Sequence, residues 1–212
     1  MREEVTKSIE YWNAIHTRNA GKELLTDDWL VEYDSIIDKC DTPILDLGCG
    51  SGNDTFHFLS KGKMVIACDQ SEVAIGLIQK NFPDVMGAEC FNMLDGLPFD
   101  DDSFEIVCAD LCLHYFTEED TKTILNEIKR VMTPGGYLFV RVNSVKDINH
   151  GAGNGFEIEP GLYKTENGTL KRFFDYTSVK KFFSDFRILK CEEAKMLRYT
   201  LEKIVICVTL RK

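Results

Sequence analysis

The sequence has no apolar run near the ~20 residues that a membrane-spanning helix needs. Its opening residues, Met1-Arg2-Glu3-Glu4, run on into polar and charged ones and lack the apolar centre of a secretory leader. The chain is therefore expected in the cytoplasm, with no membrane partner. Basic residues are outnumbered: 25 Lys and Arg face 35 Asp and Glu, a net charge of −10. The basic clusters are only pairs such as Lys129-Arg130, Lys171-Arg172 and Lys180-Lys181. A surface of that sign repels phosphate backbones and anionic lipid, so nucleic acid is an unfavourable partner. No C-x-x-C pair exists among the eight cysteines, and none stands near a histidine at zinc-finger spacing. No metal is expected. Cys68, Cys90, Cys108 and Cys207 fall in apolar, strand-like runs where a thiol acts as a small buried hydrophobe. All eight are expected to be reduced. There is no internal repeat and no low-complexity stretch.

What is present suits one domain spanning residues 1–212. Residues 1–40 are aromatic and helix-prone: Tyr11, Trp12 and Ile15 share one helical face, and Trp29, Tyr33 and Ile36-Ile37 repeat the spacing. These are either two helices packed on the core or a lid over a ligand. Residues 41–142 alternate short apolar runs with amphipathic ones. Strands are expected at 44–47, 64–68, 90–93, 104–109 and 137–142, and helices at 53–60, 71–81 (Ser71 as N-cap) and 118–132, with a turn at Pro134-Gly135-Gly136. This alternation predicts an α/β fold, a parallel sheet with helices on both faces. Residues 143–172, rich in glycine, read as a long loop or insertion. Residues 173–212 read as a helix at 178–183 and strands at 186–191 and 203–210. The gap between those strands is too short for a helix, so they should pair antiparallel.

The motif that carries chemistry is Asp46-Leu47-Gly48-Cys49-Gly50-Ser51-Gly52, between a strand and a helix. Glycines there let the backbone turn tightly and approach a ligand, and the following helix aims free N–H groups at it. A dinucleotide turn wants a third glycine where Asn53 stands, and a P-loop wants Lys after its last glycine; both patterns fail. What remains is a glycine turn that opens on an acid and suits a zwitterionic amino-acid group. Asp69, at the end of the next strand, is placed to accept hydrogen bonds from ribose hydroxyls and to repel a 2′-phosphate. Its plainer role would be a helix-entry acid before Ser71.

Together with Leu97-Pro98-Phe99 and Pro134-Gly135-Gly136, these motifs resemble the series found in class I S-adenosylmethionine-dependent methyltransferases, over roughly residues 40–142, about half the chain. Arg172-Phe173-Phe174 before a helix and the final strand pair are similar in kind; the tellurite-resistance and small-molecule branches are a looser match. The resemblance implies a Rossmann-like seven-stranded sheet in the order 3-2-1-4-5-7-6 with the last strand antiparallel, and S-adenosylmethionine as cofactor. It also implies that Asp46, Gly48 and Gly50 hold the methionine part, Asp69 the ribose, and Gln70, Asn92 and Met93 the adenine. Relatives often place an acid on the adenine amino group; here Asn92 or Asp95 stands in that region. Asp110, Leu111 and His114 would lie near the sulfonium and the acceptor.

Methyl transfer needs donor and acceptor in line, and a base only where the acceptor must lose a proton. His114 is the best-placed candidate base, ahead of Tyr115, His150, Glu157 and Tyr163; it could equally be a structural histidine. Tyr11, Trp12, Arg141 and Tyr163 are candidate substrate contacts, and Arg141 could instead pair with an internal acid. There is no N-P-P-Y-like motif after the fourth strand and no Pro-Cys nucleophile, which argues against DNA-base methylation. A small-molecule acceptor leads, with protein or RNA behind. The rivals are a nicotinamide-dependent oxidoreductase and a non-catalytic partner module of the same fold. Either a monomer or a homodimer is expected.

Overall fold

The alternating runs are realised as a seven-stranded sheet with helices on both faces. The computed structural model describes residues 3–196 and 198–212. Five parallel strands form most of the sheet: β1 (Ile44–Leu47), β2 (Val65–Asp69), β3 (Gly87–Cys90), β4 (Phe104–Asp110) and β5 (Met132–Asn143). Three short strands follow, β6 (Phe156–Glu159), β7 (Leu162–Lys164) and β8 (Leu170–Arg172), then β9 (Arg187–Met196) and β10 (Lys203–Arg211). The main sheet has the order β3-β2-β1-β4-β5-β10-β9, with β10 antiparallel to both neighbours. Fold class, strand order and the antiparallel final strand are those expected.

Residue alternation along the strands divides the core. Leu45, Val107 and Val140 face a cluster closed by Ile124, Ile128 and Val131 of α5 (Glu118–Val131) and by Val179 and Phe182 of α6 (Tyr176–Phe182). Ile44, Ile106, Cys108 and Phe139 face the other way, against Phe58 of α3 (Asn53–Ser60) and Leu30, Tyr33 and Ile37 of the N-terminal segment. Ala67 continues that side against Ile75 and Ile78 of α4 (Glu72–Asn81). Ser71 is the N-cap of α4, its hydroxyl accepting from the Ala74 N–H. Each buried aliphatic side chain contributes about 1.5–3 kcal/mol.

Four local expectations are corrected. The first forty residues hold one long helix, α1 (Glu3–Asn19), then a 3-10 turn (Asp28–Tyr33) running into a single-turn helix, α2 (Asp34–Ile37). Tertiary bonds shape that segment: the Trp29 indole N–H donates to Asp54, and Tyr33 stacks on Phe139 with ring centroids 4.4 Å apart. The third strand runs over Gly87–Cys90, earlier than its apolar residues suggested. An edge strand needs no apolar run, and Phe91, Asn92 and Met93 leave the sheet to line a cavity. Pro134-Gly135-Gly136 lies within β5, where the register against β4 shifts. Residues 144–172 contain the antiparallel sheet β6-β7-β8, whose strands are too short to show alternation.

Among the described residues, no helix is long and apolar enough to cross a membrane. All eight cysteines are free.

Candidate functional site

β1 and β4 are sheet neighbours whose following chains wind to opposite sides, so a crevice opens beyond their carboxyl ends. A cavity of about 500 Å³ lies there, in the range that holds a drug-sized ligand. Its floor is the glycine turn. The N–H groups of Gly48 and Cys49 both donate to the Cys68 carbonyl, at 2.8 and 2.9 Å, which ties the turn to β2. Gly48 has φ +74°, and a Cβ there would sit 2.4 Å from Cys112 Cβ. The close approach at Gly48 is thus made by the protein itself. Gly48 and Gly50 both line the cavity, Gly50 beneath the His16 ring. Gly52 precedes α3 without a side-chain cap, so the first-turn amides of α3 lack the usual side-chain partner.

Asp69 closes the turn from β2. Its Oδ2 accepts from the Gly50 N–H at 3.0 Å and its Oδ1 from the Ser71 N–H at 2.9 Å. Each oxygen keeps further lone-pair capacity toward the cavity it lines. Burial pushes its pKa up, against those amides and the nearby His16. The roof is α1, docked by Gln70 Nε2 donating to Ser8 Oγ at 3.0 Å and Ser71 Oγ donating to Asn13 Oδ1 at 2.6 Å. Its face Tyr11-Trp12-Ile15-His16 lines the cavity. Trp12 stacks on His16 and meets Tyr115 edge-on, at 5.8 and 5.4 Å between centroids.

The opposite bank is charged. Asp110, at the end of β4, accepts from Arg141 Nε at 2.7 Å and Nη2 at 2.8 Å, and from Arg198 Nη2 at 2.5 Å. Burial alone would raise its pKa, but the two guanidinium groups outweigh that and hold it at about 2. Asp54 is buried beside it, and burial with the Asp110 charge pushes its carboxyl up to about 6 despite Arg141. Leu111 follows Asp110 at φ +53°, a strained conformation for a branched side chain, with its N–H bonded to the Arg141 carbonyl.

The cavity gathers Gly48, Gly50, Asp69, Gln70, Asn92, Met93, Asp110 and Leu111 of the expected cofactor set, and Tyr11 and Trp12 of the expected substrate set. Asp46 does not line it. That carboxyl is 1% exposed, accepts from Thr55 Oγ1 at 2.5 Å, and is pushed far up by burial and by Asp54. Arg141 is no anion site, because its fork is taken by Asp110 and by Asp27 at 2.7 Å, over the Trp29 ring. Tyr163 lies in β7 against Phe173, away from the cavity. His114 is buried behind the wall against Tyr115, its pKa pushed well down by burial and by Lys203 and Lys171. Asn92 Oδ1 accepts from the Leu94 N–H at 2.9 Å, capping the 3-10 turn Met93–Asp95.

Sequence reasoning missed His16, Asn53, Asp54, Arg198 and Tyr199, all on the cavity wall. Asp54 was the findable one, standing in the first turn of the helix after the glycines. Asp46, Asp54 and Cys108 bring ligand-type atoms within 4.8 Å of one another. Those atoms are engaged internally, by Thr55, by Trp29 and by the Cys108 thiol donating to Asp54.

The wall also holds groups that await a partner. His16 Nδ1 and Asn53 Oδ1 are buried beside the glycine turn with no hydrogen bond. Buried polar atoms are rarely left so. Beside an uncapped helix start and Asp69, they fit a ligand that brings an amino acid joined to a nucleoside.

Residues 44–136 match the methyltransferase domain family. An uncharacterised methyltransferase of Synechocystis is 30% identical over 123 residues, 58% of this chain and 57% of that one. A tRNA N(3)-cytidine methyltransferase of Gallus gallus is 31% identical over 109 residues, 46% of this chain and 29% of that one. The chain thus spans little more than half, or less, of these curated relatives. Among solved structures, the 1,6-didemethyltoxoflavin-N1-methyltransferase of Burkholderia thailandensis, with 1,6-didemethyltoxoflavin and S-adenosylhomocysteine bound, superposes with a TM-score of 0.69 at 19% identity. That superposition covers 100% of this chain and 91% of the other. The chain thus carries a methyltransferase domain over residues 44–136, in a fold shared along its whole length with a methyltransferase that binds S-adenosylhomocysteine.

Proposed function

We propose that this chain binds S-adenosylmethionine in the cavity beyond β1, β2 and β4 and transfers its methyl group to a small-molecule acceptor. The observation that carries this reading is the pairing of Gly50 with Asp69: bare backbone and a carboxylate, fixed to each other, on one cavity wall. Asp69 would accept from the ribose hydroxyls. The first turn of α3 would face the carboxylate of the amino-acid part, and Asn53 Oδ1 its ammonium group. Gln70, Phe91, Asn92 and Met93 would enclose the base.

When bound, the cofactor supplies a methyl carbon already activated by a sulfonium, so no acid–base pair is required of the protein. The residues' task is alignment and exclusion of water. Trp12 and Tyr115 wall the acceptor side, and the left-handed turn at Leu111 sets its floor. His114, behind the wall, serves as a structural residue in this reading. A reducing, cytoplasmic setting fits the eight free thiols. An RNA acceptor is the second reading, favoured by the tRNA-modifying relative and opposed by the net charge of −10.

Thermal unfolding with S-adenosylmethionine, S-adenosylhomocysteine and NAD tests the reading. A ligand at 100 times its Kd stabilises by about 2.7 kcal/mol. The first two should raise the midpoint and NAD should not; a shift with NAD alone, or with none, sinks it. Methyl incorporation into a tRNA pool, with none into a metabolite extract, would move the acceptor to RNA.

A further inference from the structure

Arg198 reaches the cavity from the connection between β9 and β10. Its side chain is only 10% exposed, and Nη2 is pinned on Asp110. Nη1 is buried with no hydrogen-bond partner. A guanidinium is a planar fork that is always charged, so with one edge fixed the other edge has a fixed direction. Burying such a donor without an acceptor is unfavourable and uncommon. Asp54, the other acid on this bank, is engaged by Trp29 and Cys108. Arg198 also draws the Tyr199 phenol downward in pKa, by its charge and by a side-chain contact, against the upward push of burial; the phenol thus lies beside the guanidinium, while Nη1 makes no hydrogen bond of normal geometry.

The bank is also aromatic. Tyr11, Trp12, Tyr115 and Tyr199 line the same cavity, with Trp12 edge-on to both Tyr11 and Tyr115. Flat faces of this kind take a flat ring, and a lone strong donor beside them takes an oxygen on its rim. Arg198 is carried by Asp110 at the end of β4, on the far side of β1 from Asp69 and β2. It therefore stands with the acceptor rather than with the nucleoside.

We propose that Arg198 Nη1 selects the methyl acceptor: a flat ring compound bearing a carbonyl, phenolic or carboxylate oxygen that this donor binds. The proposal rests on the methyltransferase reading above and names the substrate class of that same site.

Protein loaded with S-adenosylhomocysteine is titrated calorimetrically with three matched probes: 2-methylnaphthalene, 2-naphthol and 2-naphthoate. One or both oxygen-bearing probes should bind at least about 10-fold more tightly than 2-methylnaphthalene, the span of one charge-assisted hydrogen bond. Which one does so separates a neutral oxygen from an anionic one. Arg198→Met should erase the preference while leaving S-adenosylhomocysteine affinity unchanged. Arg198→Lys keeps a charge beside Asp110 but loses the fork; it should cut the preference several-fold, and it carries the test should the Met variant fail to fold. Equal binding of all three probes, or a preference that survives both substitutions, overturns the proposal. Loss of S-adenosylhomocysteine binding in the variants overturns it too, by giving Arg198 to the cofactor. Failure of the unaltered protein to bind S-adenosylhomocysteine removes the methyltransferase reading itself, a result distinct from the others.

Discussion

Two carboxylates face each other across the cavity, and they are held in opposite ways. Asp69 is fixed by backbone amides of Gly50 and Ser71, 19 and 2 residues away in sequence. Asp110 is fixed by the side chains of Arg141 and Arg198, 31 and 88 residues away. In the proposed reading, the cofactor bank is thus built by local chain geometry and the acceptor bank by long-range charge pairing. Backbone amides cannot be changed by substitution, whereas the arginines can. The first bank is suited to an invariant ligand and the second to a variable one.

The contrast can be broken most forcefully at Arg141. Arg141→Met leaves the part-buried Asp110 and Asp27 with less countercharge, and it should cost about 3–5 kcal/mol of stability, read as a lower Tm. A loss under about 1 kcal/mol would mean that the acceptor bank is not held by charge. Next comes Asp69→Ala, expected to weaken S-adenosylhomocysteine binding by about 100-fold, as two charged hydrogen bonds are lost. An unchanged Kd in calorimetry would remove Asp69 from the site.

The pH dependence of folding sharpens the comparison further. Asp54 has a folded pKa of about 6, above its value in the unfolded chain, so the folded form binds the proton more tightly between about pH 4 and 6. Stability should therefore fall as pH rises through that window. Asp110, held at about 2, acts oppositely: its contribution is present above about pH 4 and is lost as pH falls toward 2. Asp54→Asn should flatten the first slope and gain about 2 kcal/mol above pH 6, measured by urea unfolding across pH. A slope that persists in the variant assigns it to another group. The smallest effect is expected at His114: His114→Gln should alter turnover by less than about threefold, whereas a drop of about 100-fold would make it the base.

The same contrast explains what the sequence made legible. Strand order, the glycine turn, Asp69 and the Ser71 cap all follow from short-range pattern, because period, turn chemistry and capping act within a few residues. Asp46 was misread because an acid opening a glycine turn looks ligand-facing; its place in β1, with burial and Thr55, turns it inward. Arg141 could not be assigned because its partners lie 31 and 114 residues away. Arg198 sits in a hairpin connection without periodic pattern, so nothing near it in sequence marks it. The β6-β7-β8 sheet escaped notice because its turns at Gly155 and Gly161 look like loop composition, whereas a Cβ at either would lie 2.6–2.7 Å from a backbone carbonyl oxygen.

The roof helix has a consequence for turnover. Of its residues only His16 is fully buried, and two side-chain hydrogen bonds, from Gln70 and Ser71, tie it to the β2–α4 junction. An element with so little buried surface detaches at a lower free-energy cost than the strands beneath it. Its amides should exchange with deuterated water well before those of β1 or β4. In the proposed reading, removing the latch at Ser8 and Asn13 should shorten the residence of the demethylated cofactor, measured as a faster dissociation rate.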